Sequence, residues 1–242
     1  MGVVVQKFNL DRDPIAGYLA YPKRASPGPA IFVIHHNHGL TEELRLEAYD
    51  YAEMGYTVFI TDMYQMLGIP VPIRPGEGQE IQKVRSDTEF LNAIRKGWDF
   101  LLDRHDVDAK RVGVLSFCMG ARLGMHFVAA NRGVRAFAAY YPSIREEEEW
   151  PIRPRHALKP VSELTCPTLV IFGGKDNVVT NEMQLKIWQA MLHAGIPFEW
   201  HFYSEGLHGL GAPASEGHQP ELARRIKPIA VGFFGRELEA EV

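Results

Sequence analysis

Cysteine is scarce in this chain, with only Cys118 and Cys166 among 242 residues. Two cysteines make no disulfide scaffold, and a reducing, cytoplasmic setting is expected. An excess of charge of either sign is also missing: 26 Lys and Arg stand against 30 Asp and Glu, a formal net charge of −4. That balance gives no reason to expect nucleic acid or an anionic membrane surface as a partner. No apolar run approaches the length that a bilayer span requires. The segment Met1 to Gln6 lacks the basic-then-apolar pattern of a secretory leader. Gln6 also stands where a myristoylation signal has Ser or Thr. No internal repeat and no linker divides the sequence. What is present is a hydrophobic fraction of 46%. Over this length it can bury one large core, so a single domain spanning 1–242 is expected.

Strand-like and helix-like stretches alternate along the chain. Val3 to Phe8 and Ala16 to Tyr21 read as an early hairpin outside the parallel sheet. Pro29 to His35 is a nearly continuous apolar run, as a buried parallel strand requires. Thr41 starts a helix that Gly55 stops. Strands follow at Tyr56 to Ile60, Arg111 to Leu115, Val134 to Tyr141, Thr168 to Phe172 and Phe198 to Tyr203. One long helix is expected over Ile81 to Arg104, and others over Asn181 to Ala194 and Pro220 to Leu238. The Pro/Gly-rich segment from Leu67 to Gly78 is too long for an ordinary connection and is expected to wall a site. The pattern predicts an α/β fold, a doubly wound, mostly parallel sheet with helices on both faces.

The chemistry centres on Leu115-Ser116-Phe117-Cys118-Met119-Gly120. The stretch joins a strand to a helix, Ala121 to Ala130. A small residue two before and two after a nucleophile, on such a turn, is the nucleophile elbow of α/β-hydrolases. The turn strains the nucleophile's backbone, so neighbouring Cβ atoms must be small or absent. Here the nucleophile slot holds Cys118. A cysteine nucleophile needs a base and a group to orient it. Asp176 in Gly173-Gly174-Lys175-Asp176 and His208 in Gly206-Leu207-His208-Gly209 each follow a strand. All three candidates thus fall at carboxyl ends of strands, where open α/β sheets place their sites. Their order along the chain, nucleophile, acid, histidine, is that of α/β-hydrolases. A lone buried cysteine is more often a small hydrophobe. That is the reading for Cys166, which precedes Pro167 at the start of an apolar strand.

Taken together, the Ser-Phe-Cys-Met-Gly elbow, Gly-Gly-Lys-Asp, Gly-Leu-His-Gly and His35-His36-Asn37-His38-Gly39-Leu40 resemble the dienelactone hydrolase family, the cysteine branch of the α/β-hydrolases. The four pieces run in the family's order across nearly the whole chain. The resemblance implies a triad of Cys118, Asp176 and His208. It also implies an oxyanion hole from the backbone N–H groups of Met119 and Asn37, which would stabilise charge developing on a carbonyl oxygen. The chain departs from the family's reference enzymes at two points. Their oxyanion loop carries a glutamate that helps to activate the cysteine; the aligned residue here is His36. A protonated His36 would favour the Cys118 thiolate, and a neutral one could accept the thiol proton. The reference enzymes also grip a substrate carboxylate with arginines, one of them four residues after the catalytic histidine. Ala212 occupies that place, and Arg85 is the candidate counterpart of another. Ester or lactone hydrolysis is therefore expected more firmly than action on dienelactone itself.

Other readings stay open at this stage. His35, His36 and His38 are three potential zinc ligands, with Glu205 or His208 to complete a site. On a strand, His35 would face away from the other two, so convergence needs an immediate turn. A histidine-rich oxyanion loop is the simpler account, and no metal or other cofactor is expected. The charged excursion over 144–160, with Trp150, Arg153, Arg155 and His156, is either a solvated loop or a small cap with Trp150 as its hydrophobic contact. Tyr140 and Trp188 are expected in the core, and Tyr64, beside Asp62, in the pocket with His36 and His38. The expected partner is a small ester, lactone or phosphotriester, acted on by a monomer or homodimer. A promiscuous phosphotriesterase and a non-catalytic binding protein of the same fold are the alternatives.

Overall fold

A computed structural model describes residues 2–146, 152, 153 and 155–239. Eight strands form one sheet: β1 (Val3–Phe8), β2 (Gly17–Pro22), β3 (Gly28–Ile34), β4 (Thr57–Thr61), β5 (Val107–Phe117), β6 (Ala136–Tyr140), β7 (Thr168–Gly173) and β8 (Phe198–Tyr203), in the order β1-β2-β4-β3-β5-β6-β7-β8. From β4 to β8 across the sheet every pairing is parallel. The early hairpin forms outside the parallel strands, as expected, and joins the same sheet at one edge, where β2 pairs antiparallel with β4. The described helices are α1 (Glu42–Glu53), α2 (Met63–Met66), α3 (Glu77–Val84), α4 (Asp87–Leu102), α5 (Met119–Ala129), α6 (Leu158–Val161), α7 (Asn181–Ala194) and α8 (Pro220–Glu239). This is the doubly wound, mostly parallel α/β sheet that the sequence pattern predicted, in the α/β-hydrolase arrangement that the resemblance implies. No helix among the described residues is long and apolar enough to cross a membrane.

The chain reverses direction across the sheet around β3, which has β4 on one side and β5 on the other. Open α/β sheets hold their ligands at such a switch point, outside the strand ends. The central strands are buried throughout β3, β4, β6 and β7 except for Pro29. Phe32 of β3 meets Trp98 of α4 edge-on at 5.8 Å, and Trp98 meets Phe127 of α5 at 5.5 Å. Each such buried ring contributes roughly 1.5–3 kcal/mol by leaving water. Together they clamp the helix after the elbow to the sheet.

The long helix expected over Ile81 to Arg104 is two helices. Arg85 is extended (φ −105°, ψ 133°), and the Ser86 side chain accepts from the Glu89 N–H while Glu89 bonds back to the Ser86 N–H. This reciprocal capping box starts α4 afresh and satisfies two otherwise orphaned donors. Trp188 departs from expectation too. It is 40% exposed on α7, whereas Tyr140 is buried.

Helices α4 and α5 are tied by a buried ion pair. Arg122 donates to both carboxylate oxygens of Asp87, at 2.6 and 2.8 Å, with both side chains nearly inaccessible. Removing one partner would strand a buried charge, which costs about 3–5 kcal/mol. Asp87→Ala is therefore expected to lower the melting temperature by roughly 10 °C, and thermal denaturation followed by circular dichroism measures it. Unchanged melting would mean that the guanidinium finds water or another acceptor.

Candidate active site

The fifth strand ends in a turn that bends through Cys118 at φ 51° and ψ −117°, and α5 begins at the next residue. A non-glycine residue at positive φ costs on the order of 1–3 kcal/mol. The surroundings impose it: the Cys118 N–H donates to the Tyr140 carbonyl, and its carbonyl accepts from Ser143 and Arg122. Gly120 shows why the flanking residue must be small. A Cβ there would lie 2.3 Å from the His35 carbonyl oxygen and 2.5 Å from that of Ile34. The end of β3 therefore packs directly on the first turn of α5.

Asp176 and His208 arrive from the loops after β7 and β8. Two backbone segments touch to bring them together: a Cβ on Gly173 would sit 2.2 Å from the Gly206 carbonyl oxygen. The Lys175 N–H then bonds the same oxygen at 2.9 Å. Asp176 Oδ1 accepts from the N–H groups of Val178 and Val179, both at 2.8 Å. Its other oxygen, Oδ2, is left to accept from His208 Nδ1 at 2.9 Å, and His208 Nε2 lies 3.1 Å from Cys118 Sγ. Glu205 takes no part; it is exposed and paired with Lys175.

Electrostatically the pair favours thiolate and imidazolium. Burial opposes ionisation of Cys118, yet the His208 charge, its hydrogen bond and the Met119 backbone N–H bring the thiol pKa below its ordinary value. The amino end of α5 adds a favourable dipole. Burial alone would lower the pKa of His208. The Cys118 thiolate and the hydrogen bonds to Asp176 and Cys118 instead raise it to about 10. Cys166 is the opposite case: burial pushes its thiol up to about 12. Iodoacetamide at neutral pH is thus expected to label Cys118 and spare Cys166, as peptide mass spectrometry would read. The labelling rate should fall only as the pH drops below the ordinary thiol range. Raising the pH through about 10 should leave alkylation intact but remove the imidazolium that protonates a leaving group. Equal labelling of both cysteines would contradict this polarity.

Cys118 and His208 open into a cavity of about 1210 Å³. His36, Asn37 and His38 form one wall, and Val71 to Gly76 of the Pro/Gly-rich segment form another. The chain turns immediately after β3, with the Gly39 N–H on the His36 carbonyl and Gly39 at φ 83°. His36 Nδ1 accepts from the His38 N–H at 3.2 Å. Burial, with His38 and His35 nearby, lowers the His36 pKa to about 3. Of its two imagined states it is the neutral one. His36→Gln is accordingly expected to leave the shape of the kcat/KM profile unchanged between about pH 5 and 9. Loss of an ionisation in that range would show that His36 titrates during the reaction.

Two expected pocket residues stand elsewhere. Tyr64 is fully buried beneath the turn, where its hydroxyl donates to the Asn37 carbonyl at 2.8 Å. It supports the wall and does not line it. Arg85 is outside the cavity lining, because the break before α4 turns its guanidinium to Glu89 at 2.9 Å. Trp150 lies outside the described residues. Ala212, where the family's reference enzymes have an arginine, does line the cavity, as do Arg145 and Arg153 from the excursion.

Tyr141 is the residue that the sequence reading missed. It adopts φ 40°, packs edge-on against His208 at 5.2 Å and lines the cavity. Its buried hydroxyl has no hydrogen-bond partner among the described residues. The available signal was its place at the carboxyl end of the strand expected over Val134 to Tyr141.

An eight-stranded sheet bearing a strained cysteine at the turn after β5, with histidine and aspartate in reach, defines an α/β-hydrolase. The sequence matches the model of the dienelactone hydrolase family over residues 15–238, and the chain belongs to that family. A protein from Aquifex aeolicus named "Putative carboxymethylenebutenolidase" is 26% identical over 97% of this chain and 98% of its own. One of the same name from Methylorubrum extorquens is 24% identical over 87% of this chain and 72% of its own. Among solved structures, a "Putative Dienelactone Hydrolase" from Klebsiella pneumoniae superposes with a TM-score of 0.86 at 23% identity, covering 97% of this chain and 99% of that one. A dienelactone hydrolase-like promiscuous phosphotriesterase from metagenomic libraries gives 0.79 at 15% identity, covering 98% and 99%.

Proposed function

We propose that the protein hydrolyses carboxylic esters or lactones through Cys118, His208 and Asp176, without a cofactor, as one catalytic domain. The observation that carries this reading is the unbroken chain from Asp176 to His208 (2.9 Å) to Cys118 (3.1 Å), whose last two members line one cavity. The Cys118 thiolate attacks the acyl carbon. The carbonyl oxygen becomes an oxyanion held by the N–H groups of Met119 and Asn37. Collapse expels the alcohol oxygen, which takes the Nε2 proton of His208. Neutral His208 then draws a proton from water, and the hydroxide attacks the thioester. Release of the acid leaves thiolate and imidazolium as they began. In a lactone the alcohol and acid stay in one molecule, so a single ring opens. Arg145 and Arg153 in the cavity lining support reading the 144–160 excursion as a small cap.

A panel of p-nitrophenyl esters, lactones and phosphotriesters, with Cys118→Ala as the blank, tests the proposal. Esters or lactones should turn over with a burst of acylation. The phosphotriester arm is motivated by the metagenomic phosphotriesterase of the same fold. Silence on every arm, with Cys118 reactive, would favour a binding protein.

A further inference from the structure

His35, weighed from sequence as a metal ligand, has both ring nitrogens engaged inside the protein. The side chain is completely buried. The Met63 N–H donates to Nε2 at 3.1 Å, and a backbone N–H can only donate. Nε2 must therefore be the bare nitrogen, and the proton sits on Nδ1. Nδ1 in turn donates to the His36 carbonyl at 2.6 Å. That carbonyl also receives the Gly39 N–H at 3.1 Å, closing the turn.

Holding the His36 carbonyl holds the whole His36–Asn37 peptide, because the unit is planar. In a trans peptide the N–H points opposite to the C=O; the one cis bond of the described chain is Val71–Pro72. The Asn37 N–H thus faces away from the His35 ring. It has no acceptor among the described residues, although Asn37 lines the cavity with Cys118. A backbone donor without a partner is uncommon. Here it is turned outward by a bond on the other side of its own peptide. The next peptide is pinned as well, by the Tyr64 hydroxyl on the Asn37 carbonyl at 2.8 Å. The His35 ring is itself anchored where β4 passes into α2, whose first turn Asp62 caps by accepting from the Gln65 N–H at 3.1 Å.

We infer that His35 is a positioning residue for the oxyanion hole: its Nδ1–H, braced by Met63, sets the peptide plane that aims the Asn37 N–H at the reacting carbonyl. The inference rests on the proposed acyl transfer through Cys118. A preorganised donor gains its catalytic value by not having to turn when charge develops. Without the His35 bond, the His36–Asn37 peptide would rest on the turn hydrogen bond alone.

Two substitutions separate aiming from mere packing. Asparagine places an N–H donor near the position of Nδ1, whereas glutamine places its amide near Nε2. His35→Asn can still hold the His36 carbonyl; His35→Gln can still satisfy Met63 but leaves that carbonyl without its side-chain donor. Ester turnover and alkylation by iodoacetamide are measured side by side, since alkylation of Cys118 develops no oxyanion. His35→Gln is expected to lose about 10–100-fold in kcat with little change in KM, a fraction of what deleting a hole donor costs. His35→Asn should recover most of that loss, and both variants should alkylate at the wild-type rate. The inference is overturned if glutamine is tolerated as well as asparagine, or if alkylation falls in step with turnover. Should wild-type Cys118 resist alkylation and Cys118→Ala hydrolyse esters normally, the underlying reading fails instead.

Discussion

Cys118→Ala is expected to abolish ester turnover, by on the order of 10⁵–10⁶-fold in kcat, as removing a nucleophile does in hydrolases built on a triad. Alanine leaves the cavity, the Met119 and Asn37 amides and His208 in place. What it removes is the atom 3.1 Å from His208 Nε2. It also removes the negative charge that helps to hold the His208 imidazolium, so that histidine should titrate below about 10. Two measurements check this: steady-state hydrolysis of an activated ester, and the His208 pKa by NMR. Full activity in the variant would discard the thioester route. Normal turnover with a lowered His208 pKa would leave the electrostatic account standing and point to direct attack by water.

Asp176→Asn is expected to lower kcat by roughly 10²–10⁴-fold while the fold survives. The geometry gives the reason. Val178 and Val179 both donate to Oδ1, and in the variant they would keep an amide oxygen in that place. The NH₂ group would then face His208 and donate to Nδ1. That selects the tautomer with its proton on Nε2, which cannot take the thiol proton from Cys118. The thiolate should be lost with it, so the alkylation rate at neutral pH should fall together with turnover. Substrate binding should change little. If turnover dropped while alkylation stayed at the wild-type rate, Asp176 would be acting after thiolate formation. Glu205 offers no rescue, because it is exposed and held by Lys175.

The phosphotriester arm of the panel bears on the cavity more than on the nucleophile. Ala212 and the outward-turned Arg85 leave the site without two of the arginines expected from the family's carboxylate grip. Arg145 and Arg153 of the excursion are in the lining instead. Substrate preference should therefore follow the excursion and the Pro/Gly-rich wall, and comparing neutral with carboxylate-bearing esters would show it.

By itself the sequence determined what is local. Small residues around Cys118, apolar runs of strand length, and Asp176 and His208 each just past a strand identify the fold and the chain order of the site. They do so because backbone strain and hydrophobic periodicity act over a few residues. Tertiary structure decided what depends on distant partners. The contact of Gly173 with Gly206 brings acid and histidine together, two loops apart in the chain. The capping of Ser86 by Glu89 divided a helix that periodicity alone had left whole, and so carried Arg85 away. His35 and Tyr64 hold successive peptides of the turn after β3, so their polar atoms are consumed inside the protein. Residue type sets which hydrogen bonds a side chain can make; only the packed chain sets which of them it makes.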